Sequence, residues 1–254
     1  FMRKVIAHKK KQDLENNDFY QYQKYEKMKM SMNNVTPDKM EKGIYKKFAF
    51  FKDQVEVSEK TGKMILPVSI KETVSKHIYR KDPKSEKTII EGMNSTGIEE
   101  FFSTGDMLGT ILKDVFSNIN IYDDDIRLLQ RRFVSPIGRG AISFYKYYLM
   151  DTLMIDDKEC IHLSFVPQNS QDFGFTGHIY VARDSTYGVK RCTMNLPKNT
   201  GVNFVENMDI IQEFEQLPDS SWVLTDDDMT VELAFIKGTQ GVEVQRITKY
   251  NNYN

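Results

Sequence analysis

From Phe144 to Tyr250 the chain is a succession of short segments in which apolar and polar residues alternate. They read FYKYYLMDTLMI, ECIHLSFVP, TGHIYVARD, GVKRCTMNL, FVENMDIIQEFEQ, SWVLTDDDMTVELAFI and GVEVQRITKY. A period of two marks strands that turn one face to a core and the other to water. The separators DDK, QNSQDFG, STY, PKNTG, LPDS and KGTQG are rich in residue types that reverse strands. Connections this short join antiparallel neighbours, and no long helix alternates with the strands, which disfavours a doubly wound parallel sheet. A broad antiparallel meander is expected. In DMTVELAFI, for example, Met229, Val231, Leu233 and Phe235 should share the buried side, with Thr230 and Glu232 opposite.

Upstream, FYQYQKYEKMKMSM places Tyr20, Tyr22, Met28, Met30 and Met32 on one parity, a further strand with a flexible apolar lining. Pro37 and Gly43 interrupt the pattern before KKFAFFKDQVEV, and Gly62 turns the chain into MILPVSI. ETVSKHIYRKD and KSEKTIIEG flank Pro83 as a hairpin with a charged tip. Helical spacing occurs twice. Met2, Val5, Ile6 and Leu14 predict an amphipathic helix over about residues 2–15, and Phe101, Phe102, Leu108, Ile111, Leu112, Val115 and Phe116 predict another over about 97–117. YDDDIRLLQRRF reads as irregular chain or one short helix, and SPIGRGA as a loop.

The 35 basic and 36 acidic residues cancel, so no global field recruits nucleic acid, which is not expected as a partner. No apolar run reaches the roughly 20 residues of a membrane-spanning helix, and the first residues lack the order of a signal peptide. The opening MRKVIAHKKKQDLENND starts within a helical pattern, which suggests a piece of a longer protein.

The chemical constellations are sparse. Of the 4 histidines, His8, His77, His162 and His178, none has metal-ligand spacing, although His162 and His178 fall on strands that can be adjacent. Cys160 and Cys192 make neither a disulfide framework nor a zinc motif. Two strands apart, they would be about 9.6 Å from each other, beyond the roughly 7 Å reach of a disulfide, so free thiols are expected. Asp123–Asp125 and Asp226–Asp228 lack the alternating donors, glycine and closing glutamate of a calcium loop and read as solvated turns. The aromatic and basic residues interleaved in FYKYY fit a half-buried strand. Nucleophile elbows, phosphate loops and dinucleotide fingerprints are absent, so no catalytic, cofactor or metal residues are assigned.

The blocks VIAHKKKQDLENNDFYQYQKY, LPVSIKETVSKHIYRKDP, NINIYDDDIRLL, FVSPIGRGAISFYKYYLMDT, DDKECIHLSFVP and FTGHIYVARDSTYGVKRCTMNLP, in that order, resemble an uncharacterised family of Gram-negative cell-envelope proteins. That resemblance implies a middle region between a carboxypeptidase-regulatory-like β-sandwich and a C-terminal outer-membrane β-barrel. It also implies a location on the periplasmic side of the outer membrane; the word carboxypeptidase names a sandwich module and is no sign of a peptidase. FTGHIYVARDSTYGVKRCTMNL is also similar to the strand pair of LolA/LolB-like lipoprotein carriers.

Together these readings give one α+β domain over residues 1–254, a large curved antiparallel sheet in the form of an open half-barrel with a few helices on its concave face. The expected function is non-enzymatic. It is either binding of lipid, lipoprotein or a neighbouring protein segment in a concave apolar surface, or service as a structural spacer. The alternative is a cell-envelope hydrolase whose acids, or His162 and His178, meet only in space.

Overall fold

The computed structural model describes residues 1–36, 38, 41, 46, 53–97, 118–128, 131–196, 204–234 and 241–254. The helix expected over about 97–117 lies outside these residues apart from its first position, as does Phe235.

The meander is present strand for strand. β1 (Phe19–Asn33), β2 (Glu56–Val57), β3 (Met64–Arg80) and β4 (Ser85–Gly97) precede a separate hairpin, β5 (Asp125–Leu128) and β6 (Arg131–Val134). β7 (Tyr145–Ile155), β8 (Lys158–Pro167), β9 (Thr176–Ala182), β10 (Val189–Leu196), β11 (Val205–Gln216), β12 (Trp222–Ala234) and β13 (Gly241–Asn251) follow. β1 to β4 and β7 to β13 form one 11-stranded sheet in the order β2-β3-β1-β13-β12-β11-β10-β9-β8-β7, with β4 also on β3. All its pairings are antiparallel. The sheet is open, because β7 ends one side and β2 and β4 share the other. The long-range junction is β1 on β13, with Met30 opposite Val244.

One hydrophobic core follows from this order. Met194, Ile210 and Met229 lie side by side across β10, β11 and β12, and all three are buried. The covering layer on this dry face comes from α1 (Met2–His8), through Met2 and Val5, and from Ile119, Ile121, Ile126, Leu128, Phe133 and Ile137. Tyr145 and Tyr147 tie that layer to the sheet, their hydroxyls donating to Val134 O and Pro136 O at 2.7 Å each. These aromatics of FYKYY are therefore structural, whereas Tyr148 is exposed.

Four expectations are corrected. The first helix is shorter than 2–15. α1 stops at His8 and gives way to 3-10 turns over Lys9–Gln12 and Leu14–Asn16, the second begun by Asp13, whose carboxylate accepts from Glu15 N. MILPVSI and ETVSKHIYR are one strand rather than two. Pro67 interrupts nothing because it falls where the β1 register shifts and where β3 exchanges β2 for β4 on its outer edge. YDDDIRLLQRRF holds the β5–β6 hairpin, in which Ile126, Leu128 and Phe133 insert into the core, and SPIGRGA leads into a one-turn helix, α2 (Ala141–Phe144).

The fourth correction concerns wetness. Asp226–Asp228 is the middle of β12, not a turn. Thr230 and Glu232 do oppose Met229, Val231 and Leu233, yet both are buried. The turn at Ser58–Lys63 lies over them. Ser58 Oγ donates to Glu243 at 2.9 Å, Thr61 Oγ1 to the same carboxylate at 2.6 Å, and Lys63 Nζ to Glu232 at 2.6 Å. Cys160 on β8 and Cys192 on β10 are separated by β9 and are buried free thiols. Burial pushes both thiols above their usual range.

Candidate functional site

Within the dry face runs one polar row. Register places Gln212 beside Asp227, Asp227 beside Thr248 and Thr248 beside Glu26, crossing β11, β12, β13 and β1. Arg246 lies one step away on β13, and its guanidinium meets the Asp227 carboxylate at 2.6 Å with both side chains 3% exposed. The amide nitrogen of Gln212 donates to Ile119 O at 2.8 Å and to Asp227 at 3.1 Å. Both of those partners are acceptors, which fixes the amide orientation and leaves Gln212 Oε1 buried with no partner among the described residues.

Above this row is a recess of about 230 Å³. Its walls include Tyr20, Tyr22, Tyr122, Tyr250 and Tyr253, the single tryptophan Trp222, and the carboxylates of Asp13, Glu15 and Asp227. The β1–β13 pairing brings the tyrosines together from opposite ends of the chain. The ring of Tyr22 stands 5.5 Å from Tyr250 at 70° and 5.3 Å from Tyr253. Trp222 is seated over Gly188, where a Cβ would come within 2.1 Å of the indole, and its Nε1 donates to Thr186 Oγ1 at 3.1 Å. Burial raises the phenol pKa values of Tyr20, Tyr22, Tyr122, Tyr250 and Tyr253, so all five stay protonated hydroxyls.

Parity counted back from Met229 would have put Asp227 on the dry face, and the same count along VEVQRITKY puts Arg246, Thr248 and Tyr250 there. This signal was present in the sequence. The partner of each residue was not, since it depends on strand order.

The opposite face carries the expected histidine pair. His162 Nε2 and His178 Nδ1 are 2.9 Å apart, and His162 Nδ1 is 2.7 Å from Asp151 Oδ1. When His162 is neutral, an aspartate that accepts from its Nδ1–H makes Nε2 an acceptor, and His178 Nδ1 then donates to it. Tyr180 stacks on the His162 ring at 4.4 Å. His178 also borders a groove of about 490 Å³ with Ser164, Thr193, Asn195 and Asp209. Among the described residues no group of 3 or more His, Cys, Asp or Glu side chains is arranged to hold a metal.

The histidines set a pH dependence. Burial and then the neighbouring His162 lower the His178 pKa below 6.5, and burial lowers that of His77 below the same value. The unfolded chain therefore binds these protons first. Their contribution to stability is whole above 6.5, is lost as pH falls from 6.5 toward the folded values, and is level below them. Asp124, held below the usual carboxylate range by Lys9, loses its contribution only in stronger acid. Asp123 and Asp228 are raised by burial and work the other way, relieving a cost as they protonate. The midpoint of urea unfolding is expected to fall between pH 7 and 5, and less steeply in a His178→Asn, His77→Asn variant.

With the geometry in place, comparison with known proteins gives the family. The profile described as "Family of unknown function (DUF5686)" matches residues 1–253. The chain belongs to this family. No match was found among curated proteins. The DUF5686 chain is similar to several solved structures at low identity. A putative outer membrane lipoprotein-sorting protein domain from Vibrio parahaemolyticus gives a TM-score of 0.31 at 9% identity, over 98% of this chain and 90% of that one. A LolA superfamily protein from Nitrosomonas europaea gives 0.29 at 9%, over 99% and 92%. A DUF1329 family protein from Desulfovibrio piger gives 0.35 at 10%, over 100% and 91%.

Proposed function

We propose that this DUF5686 chain is a single-domain, non-enzymatic binding module on the periplasmic side of the outer membrane, set between a β-sandwich and a barrel of the same protein. Its ligand is the polar end of a lipid or lipoprotein, or a neighbouring protein segment, held in the tyrosine-lined recess. The observation that carries this reading is the recess itself. Over part of the dry face the chain's own α1 and residues between Ile119 and Ile137 pack into the core, whereas over β11 to β13 tyrosines and the Asp227 carboxylate line a space of about 230 Å³. A site of this composition suits a small polar group rather than a long acyl chain.

The test is native mass spectrometry of the chain after incubation with envelope lipid extract, with Trp222 emission as a second readout. A bound adduct that is lost in Tyr22→Ala supports the module. A bare mass and unchanged emission would leave a structural spacer. The Asp151–His162–His178 chain beside the groove favours a second reading, a hydrolase. Ester turnover abolished by His178→Ala would move the assignment there.

A further inference from the structure

The composition of the recess narrows what it can take. Its described walls hold three kinds of electron-rich group: the carboxylates of Asp13, Glu15 and Asp227, the π faces and hydroxyls of the tyrosines, and the amide of Gln212. No lysine, arginine or histidine is among those described walls. Asp227 is matched by Arg246 from outside the wall, and Glu15 by Lys84 at 3.0 Å, in a pair whose side chains are 60% and 50% exposed. Asp13 spends its carboxylate on a backbone N–H rather than on a cation. Gln212, a residue 0% exposed, brings an acceptor to this wall, its buried Oε1, with no partner among the described residues, and the Tyr122 hydroxyl is buried there without one as well.

Aromatic faces attract cations through their quadrupoles, and the attraction grows where water is excluded. Tyr20, Tyr22 and Tyr253 bring three rings to the wall, with Tyr20 and Tyr22 near parallel at 6.3 Å and Tyr253 tilted by 42° to Tyr22, while Tyr79 stacks on Tyr20 at 4.6 Å and His77 on Tyr22 at 4.9 Å, each covering one ring face. An anion would meet three carboxylates with no lysine, arginine or histidine among the described walls to offset them, and a hydrocarbon would leave the acceptors unsatisfied. A primary amine satisfies both features, because its three N–H groups fill acceptors while its charge meets the rings.

We infer that the recess is a receptor for a primary ammonium group, carried either by an ethanolamine-type lipid headgroup or by a small soluble amine. This inference rests on the reading of the recess as the ligand site. It names the chemistry of that ligand. The 230 Å³ volume admits an aminoethyl group and excludes a bulky scaffold.

The test is calorimetric titration of the 254-residue chain with ethanolamine and, separately, with ethylene glycol, its uncharged counterpart of similar size. Trp222 emission is recorded alongside. Saturable binding of ethanolamine, absent for the glycol and weakened by 0.5 M salt, is expected. Asp13→Asn and Glu15→Gln alter exposed side chains that leave the core intact, and each should weaken ethanolamine by about two- to fivefold. Vesicles containing phosphatidylethanolamine, set against phosphatidylglycerol vesicles, separate the sources. Preferential binding to the former assigns a lipid headgroup, and binding of free ethanolamine alone assigns a soluble amine. Equal binding of glycol and ethanolamine would overturn the ammonium inference while keeping the recess as a ligand site. Silence toward every probe, together with a bare native mass, would remove both.

Discussion

Asp227→Ala is expected to destabilise the domain by about 3–5 kcal/mol, the cost of breaking a buried ion pair by removing one partner. Arg246 and Asp227 meet at 2.6 Å with side chains 3% exposed, so water cannot replace the lost partner, and the Gln212 amide loses an acceptor at the same time. The thermal midpoint should fall by about 10 °C or more. The double variant Asp227→Leu, Arg246→Met should recover most of the loss, because a packed apolar pair removes both desolvation costs. It should also bind the ligand more weakly, since one of the three carboxylates of the recess has gone. A double variant as unstable as Asp227→Ala would mean that packing at this site, rather than the broken ion pair, sets the cost.

The second large effect lies on β12. Leu233→Asp is expected to cost about 4 kcal/mol or more, combining the lost burial of a leucine, about 1.5–3 kcal/mol, with an unpaired carboxylate in the core. Leu233 is 0% exposed and sits opposite Val242. Its neighbour Glu232 faces the other way but is only 6% exposed and pairs with Lys63. Glu232→Ala should therefore also destabilise, by about 1–2 kcal/mol, through the loss of a charge-assisted hydrogen bond. Circular dichroism melts of both variants decide this. A neutral Glu232→Ala would show that the Ser58–Lys63 turn does not shield that face in solution.

These two residues also show where sequence reading succeeds and stops. From β7 onward, strands and turns were legible because the two-residue period and the reversing residues agreed at each junction. The side of Leu233 followed directly. The state of Glu232 did not, because alternation says which way a side chain points and nothing about what lies above it. The β5–β6 hairpin was missed for a different reason. Ile126 and Leu128 lie on one arm and Phe133 on the other, so neither four-residue arm carries enough alternation to outweigh a helical pattern. The recess was the least legible part. Tyr22 and Tyr250 are near opposite ends of the chain, and only the β1–β13 pairing makes them neighbours. The His162–His178 contact stood between these cases, since a hairpin-rich meander brings β8 and β9 together whatever the rest of the chain does.

The placement of β1 between β3 and β13 has a bearing on biosynthesis. As the polypeptide leaves the ribosome, Phe19–Asn33 can zip to β3 early, but its other flank stays bare until Gly241–Asn251 emerges. Met30, Val244 and the ring cluster of Tyr22 are thus completed late. A ribosome stalled ahead of Gly241 would present an unpaired, methionine-rich border to the crowded cell, and quality-control factors that scan for such borders would meet it before any ligand could.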